Sequence, residues 1–154
     1  MKKFRGKKRY FRNLKRKVMN FEINCGNDSW FDFWHIHLDF YGRGNRNLKV
    51  RREHIKAHIS LYNNLLKKLE QYDKEYQSWV YICEDDTGSD AVYIHTPNPN
   101  YDYFPHQIRD LQWKCEIPKS FKDLIDLNKY NIGYYKSKYE EAYFIQSKFH
   151  GIRL

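Results

Sequence analysis

The sequence is short of the residues that build covalent and thiolate-bound scaffolds. Only three of its 154 residues are cysteines, Cys25, Cys83 and Cys115, and no CxxC pair occurs. An odd number of widely separated cysteines argues against a disulfide framework and against a zinc site made of thiolates. We therefore expect buried thiols in a reducing cytoplasm.

Long apolar runs are also missing. A membrane-spanning helix needs about 18 consecutive apolar residues, and no stretch of this chain approaches that length. The basic start could mimic the first part of a signal peptide, but VMNFEINCGNDSW follows in place of an apolar segment with a cleavage site. The sequence therefore predicts a cytoplasmic protein without a membrane partner.

Proline is scarce, and three of the four prolines fall within nine residues, PNPNYDYFP at 97–105. Because proline has no backbone N–H, this stretch predicts an irregular loop. A stiff loop loses little entropy on binding. The hydrogen-bonding residues Thr96, Asn98 and Asn100 enter or lie in it, so we predict a binding edge there.

Positive charge is concentrated at one end of the chain. Residues 2–17 hold ten of the 28 lysines and arginines and no acid, which leaves 18 basic against 19 acidic residues in the remainder. Such an arm suits a phosphate backbone or an acidic protein surface; the alternative is a solubilising tail. The residues predicted to carry this role are Lys7, Lys8, Arg9, Arg12, Lys15, Arg16 and Lys17.

Apolar periodicity predicts the organisation of the chain. Phe11, Leu14 and Val18 recur at helical spacing, which predicts a basic arm or helix over 1–18 followed by one domain over 19–154. Within the domain we predict strands near 19–23, 30–41, 79–85, 91–96 and 111–117. Predicted helices follow at 51–72, 120–130 and 136–149. In the first of them one apolar stripe is formed by Ile55, Ile59, Tyr62, Leu66 and Leu69. This order predicts an α+β fold, with a mainly antiparallel sheet packed on a long helix and with C-terminal helices.

The stretch FDFWHIHLDFYGRG, residues 31–44, alternates strictly between two faces. We predict that one face is core and includes Trp34, Ile36, Leu38 and Phe40. In the hairpin strands WVYICED and AVYIHT, we expect Val80, Ile82, Val92 and Ile94 to face the long helix. If the strands share one sheet, the binding face continues on the other side of this hairpin. The predicted binding face and its adjoining loop comprise His35, His37, Asp39, Tyr81, Tyr93, His95, Thr96, Asn98 and Asn100.

Part of this face has the spacing of a metal site. Two strand histidines at i and i+2, His35 and His37, lie roughly 6.6 Å apart along the backbone, so their imidazoles can reach one ion. His95 is the best third ligand, because Asp39 is roughly 13 Å from His35. A divalent metal held in this way could activate water or polarise a phosphate. The alternative is ordinary solvated or hydrogen-bonded sheet histidines.

The HIH motif at 35–37 resembles the histidine–hydrophobic–histidine motif of HUH endonucleases, which include rolling-circle replication initiators and small transposases. Tyr135 and Lys138, in YKSK, resemble the Y-x-x-K motif of that family. The resemblance implies a central strand whose His35 and His37 hold a divalent cation. It also implies a later helix whose Tyr135 is catalytic and attacks a DNA phosphate. The alternative for Tyr135 is an aromatic residue on a helix surface.

A second histidine pair, His54 and His58, lies at i and i+4 in the long predicted helix but lacks the glutamate of HExxH. We predict a solvated helix flank for both residues.

Three functions remain open from the sequence. The first is a small intracellular, non-catalytic binding protein that recognises a macromolecular partner in an immunity or accessory role. The second is an HUH-like metal-dependent nucleic-acid endonuclease. The third is an RNA-binding accessory protein that uses the basic arm.

Overall fold

The computed structural model describes residues 6–22, 33–38, 48–71, 76–84, 90–95, 110–113 and 115–149, with backbone alone at 33–35 and 95. Along the chain the elements are α1 (Lys7–Met19), β1 (Phe33–Ile36), α2 (Leu48–Leu69), β2 (Gln77–Cys83), β3 (Ala91–His95), β4 (Gln112–Trp113), a 3-10 helix (Lys122–Leu124), β5 (Tyr130–Lys136) and β6 (Glu141–Ser147).

The strands form one sheet in the order β1-β3-β2-β6-β5-β4, and each neighbouring pair is antiparallel. The predicted α+β class and its antiparallel sheet are therefore confirmed. Hairpins account for the β2–β3 and β5–β6 pairs, while β2 and β6 meet across a long stretch of chain. The β2–β6 pairing joins the two hairpins into one sheet.

Helix α2 covers one face of the sheet because its apolar residues recur at helical spacing. Ile55, Ile59, Tyr62, Leu66 and Leu69 are all buried in the main core cluster. The sheet side of this cluster comes from alternate residues of the central strands, Val80, Ile82, Val92, Ile94 and Ile145. The hairpin residues predicted to face the helix are thus in contact with its core.

The predicted phase of the first strand agrees with the side chains that are described. Ile36 and Leu38 are buried, while His37 between them is exposed. The Leu38 backbone N–H also donates to His58 Nε2 on α2, at 3.4 Å. The predictions for Trp34 and Phe40 concern side chains outside the described residues.

Helix α1 packs against α2 through Leu14 and Val18, which join the main core cluster. Near the start of α1, Tyr10 contacts His54, and past its end the Phe21 carbonyl accepts a hydrogen bond from Lys68 Nζ at 2.7 Å. These contacts advance along both helices in the same direction, so α1 and α2 run parallel. The basic segment is therefore part of the packed structure.

Two strand predictions are corrected. The strand predicted near 19–23 is wrong at its start, because α1 continues through Val18 and Met19. The alternation of apolar residues over 19–23 obscured the helical i, i+4 spacing of Leu14 and Val18. The strand over 111–117 shortens to Gln112–Trp113, and it is not the last strand. Leu111 lies against Gly133 of β5, where an added Cβ would meet the Leu111 methyl groups at 3.0 Å.

The predicted C-terminal helices are wrong. The segment 120–130 contains only the 3-10 helix and turns before β5 begins, and the segment 136–149 contains β6. Both faces of β6 are buried: Tyr143 and Ile145 join the main core, while Ala142 and Phe144 join the opposite face. A strand buried on both faces loses the apolar–polar alternation that identifies strands.

The burial of Leu38 gives a direct test of the strand phase. Replacing Leu38 by Ala should lower the free energy of unfolding by about 2–5 kcal/mol, since the side chain is 2% exposed and its loss leaves a cavity. The matched control is Leu48→Ala, where the leucine is 55% exposed and the loss should stay within about 0.5 kcal/mol. Urea denaturation of both variants measures the difference; equal losses would contradict the assigned core.

Candidate functional site

The outer side of α1 is a polar surface that carries charge of one sign. At 100° per residue, Lys8, Arg9, Arg12, Lys15 and Arg16 fall within roughly 120° of the helix circumference. All five are exposed, and their arc lies opposite the buried Leu14 and Val18. We call these five residues the basic face. It spans roughly 12 Å along the helix axis at 1.5 Å per residue.

The remaining predicted arm residues flank this face. Lys17 is exposed beyond one side, and Lys7 is half-buried with its Nζ 5.8 Å above the centre of the Phe11 ring. The whole helix, Lys7–Met19, contains no acidic residue. The positive charges of the basic face therefore have no carboxylate within their own helix.

The aromatic residues of α1 point the other way. Tyr10 and Phe11 are half-buried and pack against the main core cluster, edge to face with each other at a ring separation of 5.3 Å. Rings held in this way contribute to docking α1 on α2. The basic face therefore carries cations and no aromatic side chain.

The docking of α1 also depends on a polar contact with α2. The Tyr10 hydroxyl and His54 Nε2 share a hydrogen bond, and the two rings stack with their centres 5.7 Å apart. His54 and His58 are 2% and 1% exposed, so the predicted solvated flank is wrong. Their burial was not foreseeable from spacing alone, because α1 and the β1 segment supply the groups that cover them.

His58 is held in one tautomer. Its Nδ1–H donates to the His54 carbonyl oxygen at 2.9 Å, and its Nε2 accepts the Leu38 N–H. An imidazolium could not accept that second bond, because both of its nitrogens carry hydrogen. The geometry therefore requires a neutral ring.

The electrostatics of both histidines agree with neutral rings. Burial, assisted by the charges of His58 and Arg51, lowers the pKa of His54 from 6.5 to about 3. Burial likewise lowers the pKa of His58, although the nearby Asp90 carboxylate acts in the opposite direction. Both side chains are thus structural at neutral pH.

A buried ion pair connects α2 to the β2–β3 hairpin. Arg51 Nη1 donates to Asp90 Oδ2, and Arg51 Nη2 donates to the Cys83 carbonyl at 2.6 Å. Asp90 Oδ1 in turn accepts the Cys83 N–H at 3.2 Å. Both charged groups are buried, and both are also hydrogen-bonded to the backbone of Cys83. The pair therefore fixes the hairpin to the first half of α2.

The sheet face opposite α2 is a second, aromatic core. Trp79 stacks on Tyr93 with ring centres 5.5 Å apart, and Tyr81 meets Tyr93 and Phe144 edge to face. The Tyr81 hydroxyl donates to Glu140 Oε1, and burial together with this contact raises the pKa of Tyr81. Tyr81 is only 8% exposed, so its ring is not the open surface that the sequence predicted; Tyr93 is half-buried.

Of the predicted histidine site, His35 and His95 are described in their backbone alone. Register places His35 opposite Tyr93 and Phe33 opposite His95, so His35 and His95 occupy diagonal positions in one ladder. The shared sheet that the prediction required is therefore present. His37 lies just beyond the end of β1 and is exposed. Asp39, Thr96, Asn98 and Asn100 lie outside the described residues, and the metal site of His35, His37 and His95 stays a prediction.

The position of Tyr135 corrects the expectation drawn from HUH endonucleases. Tyr135 lies in strand β5, not in a helix, and is buried in the aromatic core at 8% exposure. Lys138 lies in the turn after β5, with its Nζ 5.5 Å above the Tyr139 ring. The YKSK stretch thus leads from a strand into a turn, because β5 and β6 form a hairpin.

The described part of the chain offers neither a cluster of metal-binding side chains nor a membrane-spanning helix. Within it, no group of three histidine, cysteine, aspartate or glutamate side chains is arranged to hold a metal ion. Neither described α-helix combines the length and the apolar character that crossing a membrane requires.

Comparisons with known protein families, with curated proteins and with solved structures found no match for this chain. Any functional assignment therefore has to come from its own side chains.

The buried histidines predict how stability depends on pH. Because the pKa of folded His54 is lowered to about 3, the unfolded chain takes up its proton first. Stability should fall as pH drops from 6.5 towards 3, by up to about 1.4 kcal/mol per pH unit for each proton taken up. His54→Gln should flatten this slope, whereas His37→Gln, at an exposed position, should keep it. Denaturation at several pH values tests this; equal slopes in both variants would contradict the assignment.

The buried pair gives a second prediction. Asp90→Asn should lower the free energy of unfolding by about 3–5 kcal/mol, because it leaves Arg51 buried without a countercharge. The control is the pair Arg52–Asp123, 3.6 Å between Nη2 and Oδ2, in which the Asp123 side chain is 79% exposed; Asp123→Asn should cost at most about 1 kcal/mol. Chemical denaturation measures both, and a small loss at Asp90 would show that the pair is not essential.

Proposed function

We propose that this chain is a binding protein that contacts the phosphate backbone of a nucleic acid through the basic face of α1. The observation that carries the proposal is the arc of five exposed cations on a helix without acids. Cations matched to phosphates release counterions, which supplies most of the affinity in binding that does not depend on sequence.

The docking of α1 favours this function over that of a solubilising tail. Leu14 and Val18 are buried, and Tyr10 is bonded to His54, so the helix presents its cations in a fixed orientation. Pre-ordered groups lose less entropy on binding than groups on a mobile tail.

The inward aromatic rings favour duplex over single-stranded nucleic acid. Proteins that bind single strands combine a basic groove with aromatic rings on which bases stack. Here Tyr10 and Phe11 pack on the core. A duplex has the higher charge density and a major groove wide enough for a helix. The face therefore suits the phosphate backbone of a duplex.

The test replaces three cations of the basic face by neutral residues, Lys8→Gln, Arg12→Gln and Lys15→Gln. Affinity for a duplex of arbitrary sequence should fall at least tenfold at low salt. The slope of log affinity against log salt should lose about 2.7, from about 0.9 per phosphate contact. Fluorescence anisotropy over a salt series measures both quantities.

The matched control neutralises three exposed lysines elsewhere, Lys67→Gln, Lys119→Gln and Lys122→Gln. It removes the same net charge and should keep the salt slope. Equal losses in both triple variants would show a diffuse charge effect and overturn the proposal. Binding to polyglutamate but not to duplex would assign the face to an acidic protein partner instead.

A further inference from the structure

A cleft of about 260 Å³ lies between α2 and the segment that leads into β5. Its apolar lining comes from Ile59 of α2 and Leu124 of the 3-10 helix. Asn63, also in the lining, is about 180° around α2 from His54, which contacts α1. The cleft and the basic face of α1 are therefore on opposite flanks of α2, and they can be tested independently.

Cationic and neutral donors from two elements meet in this cleft. Lys56 and Asn63 come from α2, Lys129 lies in the turn before β5, and Tyr130 begins β5. Within the described residues, neither the Lys56 nor the Lys129 ammonium has a hydrogen bond or an ion pair. Tyr130 donates its hydroxyl to Asn63 Oδ1 at 2.7 Å. This bond fixes the amide and leaves its NH₂ group as the donor side.

Acceptors lie in the same lining. The Ser60 hydroxyl donates to the Lys56 carbonyl at 2.8 Å, so its oxygen can only accept from a ligand. Asp126 accepts the Asn128 N–H through Oδ1 at 3.0 Å and keeps its other oxygen as an acceptor. One carboxylate beside two ammonium groups opposes a bare anion but suits a ligand that also carries hydroxyl groups.

From these groups we infer that the cleft binds a small phosphate monoester with neighbouring hydroxyl groups, such as a sugar phosphate or a nucleoside monophosphate. Lys56, Lys129 and the Asn63 NH₂ group meet the phosphate, while Asp126 and Ser60 accept the hydroxyl hydrogens. Ile59 and Leu124 cover the apolar part of the ligand. The volume is slightly below the roughly 300–1,000 Å³ of typical ligand pockets, which fits a ligand of this small size.

Isothermal titration calorimetry of the full chain with ribose 5-phosphate, adenosine monophosphate and inorganic phosphate tests the inference. Both organic phosphates should bind saturably. The one with the higher affinity shows whether the cleft prefers a sugar phosphate or a nucleoside monophosphate. Lys56→Ala and Lys129→Ala should each weaken binding about tenfold, the scale of a charge-assisted hydrogen bond. Lys67→Ala, at an exposed position of the same helix but outside the cleft lining, should leave the affinity unchanged.

Asp126→Asn separates a built site from general attraction to lysines. It should weaken the binding of ribose 5-phosphate, because the carboxylate that accepts its hydroxyl hydrogens is gone. It should strengthen the binding of inorganic phosphate, because a repulsive negative charge is gone. The inference is overturned if no ligand binds saturably at millimolar concentration, if Lys67→Ala weakens binding equally, or if Asp126→Asn strengthens all three ligands alike. The triple α1 variant should retain this binding, so failure of the nucleic-acid proposal and failure of this one remain distinguishable.

Discussion

The burial of α2 on two sides is the constraint on which the rest of the structure depends. The helix must bury Arg51, His54 and His58 along with its apolar stripe, and a buried polar group is costly unless it is hydrogen-bonded. Each is satisfied by a different part of the chain: Asp90 and Cys83 for Arg51, Tyr10 for His54, and Leu38 for His58. The positions of α1, the β1 segment and the β2–β3 hairpin are thereby tied to one helix.

The parts of the fold that sequence patterns predicted well are those with one buried face. The stripe from Ile55 to Leu69 and the core-facing residues Val80 and Ile94 lie where the periodicity places them. The C-terminal half was missed for a physical reason. Strand β6 is buried on both faces, between the α2 core and the aromatic core, so its side chains offer no alternation from which a strand can be recognised.

In the candidate site, too, the features that depend on one local segment could be predicted from the sequence, and those that depend on distant partners could not. The basic face is readable from the sequence, because its cations and its apolar stripe lie on one short helix. The structure adds that Tyr10 turns inward and bonds to His54, which spacing did not reveal. The buried roles of His54 and Asp90 depend on partners 44 and 39 residues away in sequence. The cleft joins residues that are more than 60 positions apart, such as Asn63 and Tyr130, and no local pattern marks it.

The parallel arrangement of α1 and α2 has an electrostatic consequence. Each helix carries a partial positive charge at its N-terminal end, and parallel packing places these two ends side by side. Neither first turn contains an acidic residue that would offset the partial charge, and in α1 Lys7 and Lys8 add to it. The two helix dipoles therefore reinforce the positive potential at the end where Lys8 and Arg9 lie. An approaching polyanion should be attracted first to that end of α1, before the remaining cations of the helix engage it.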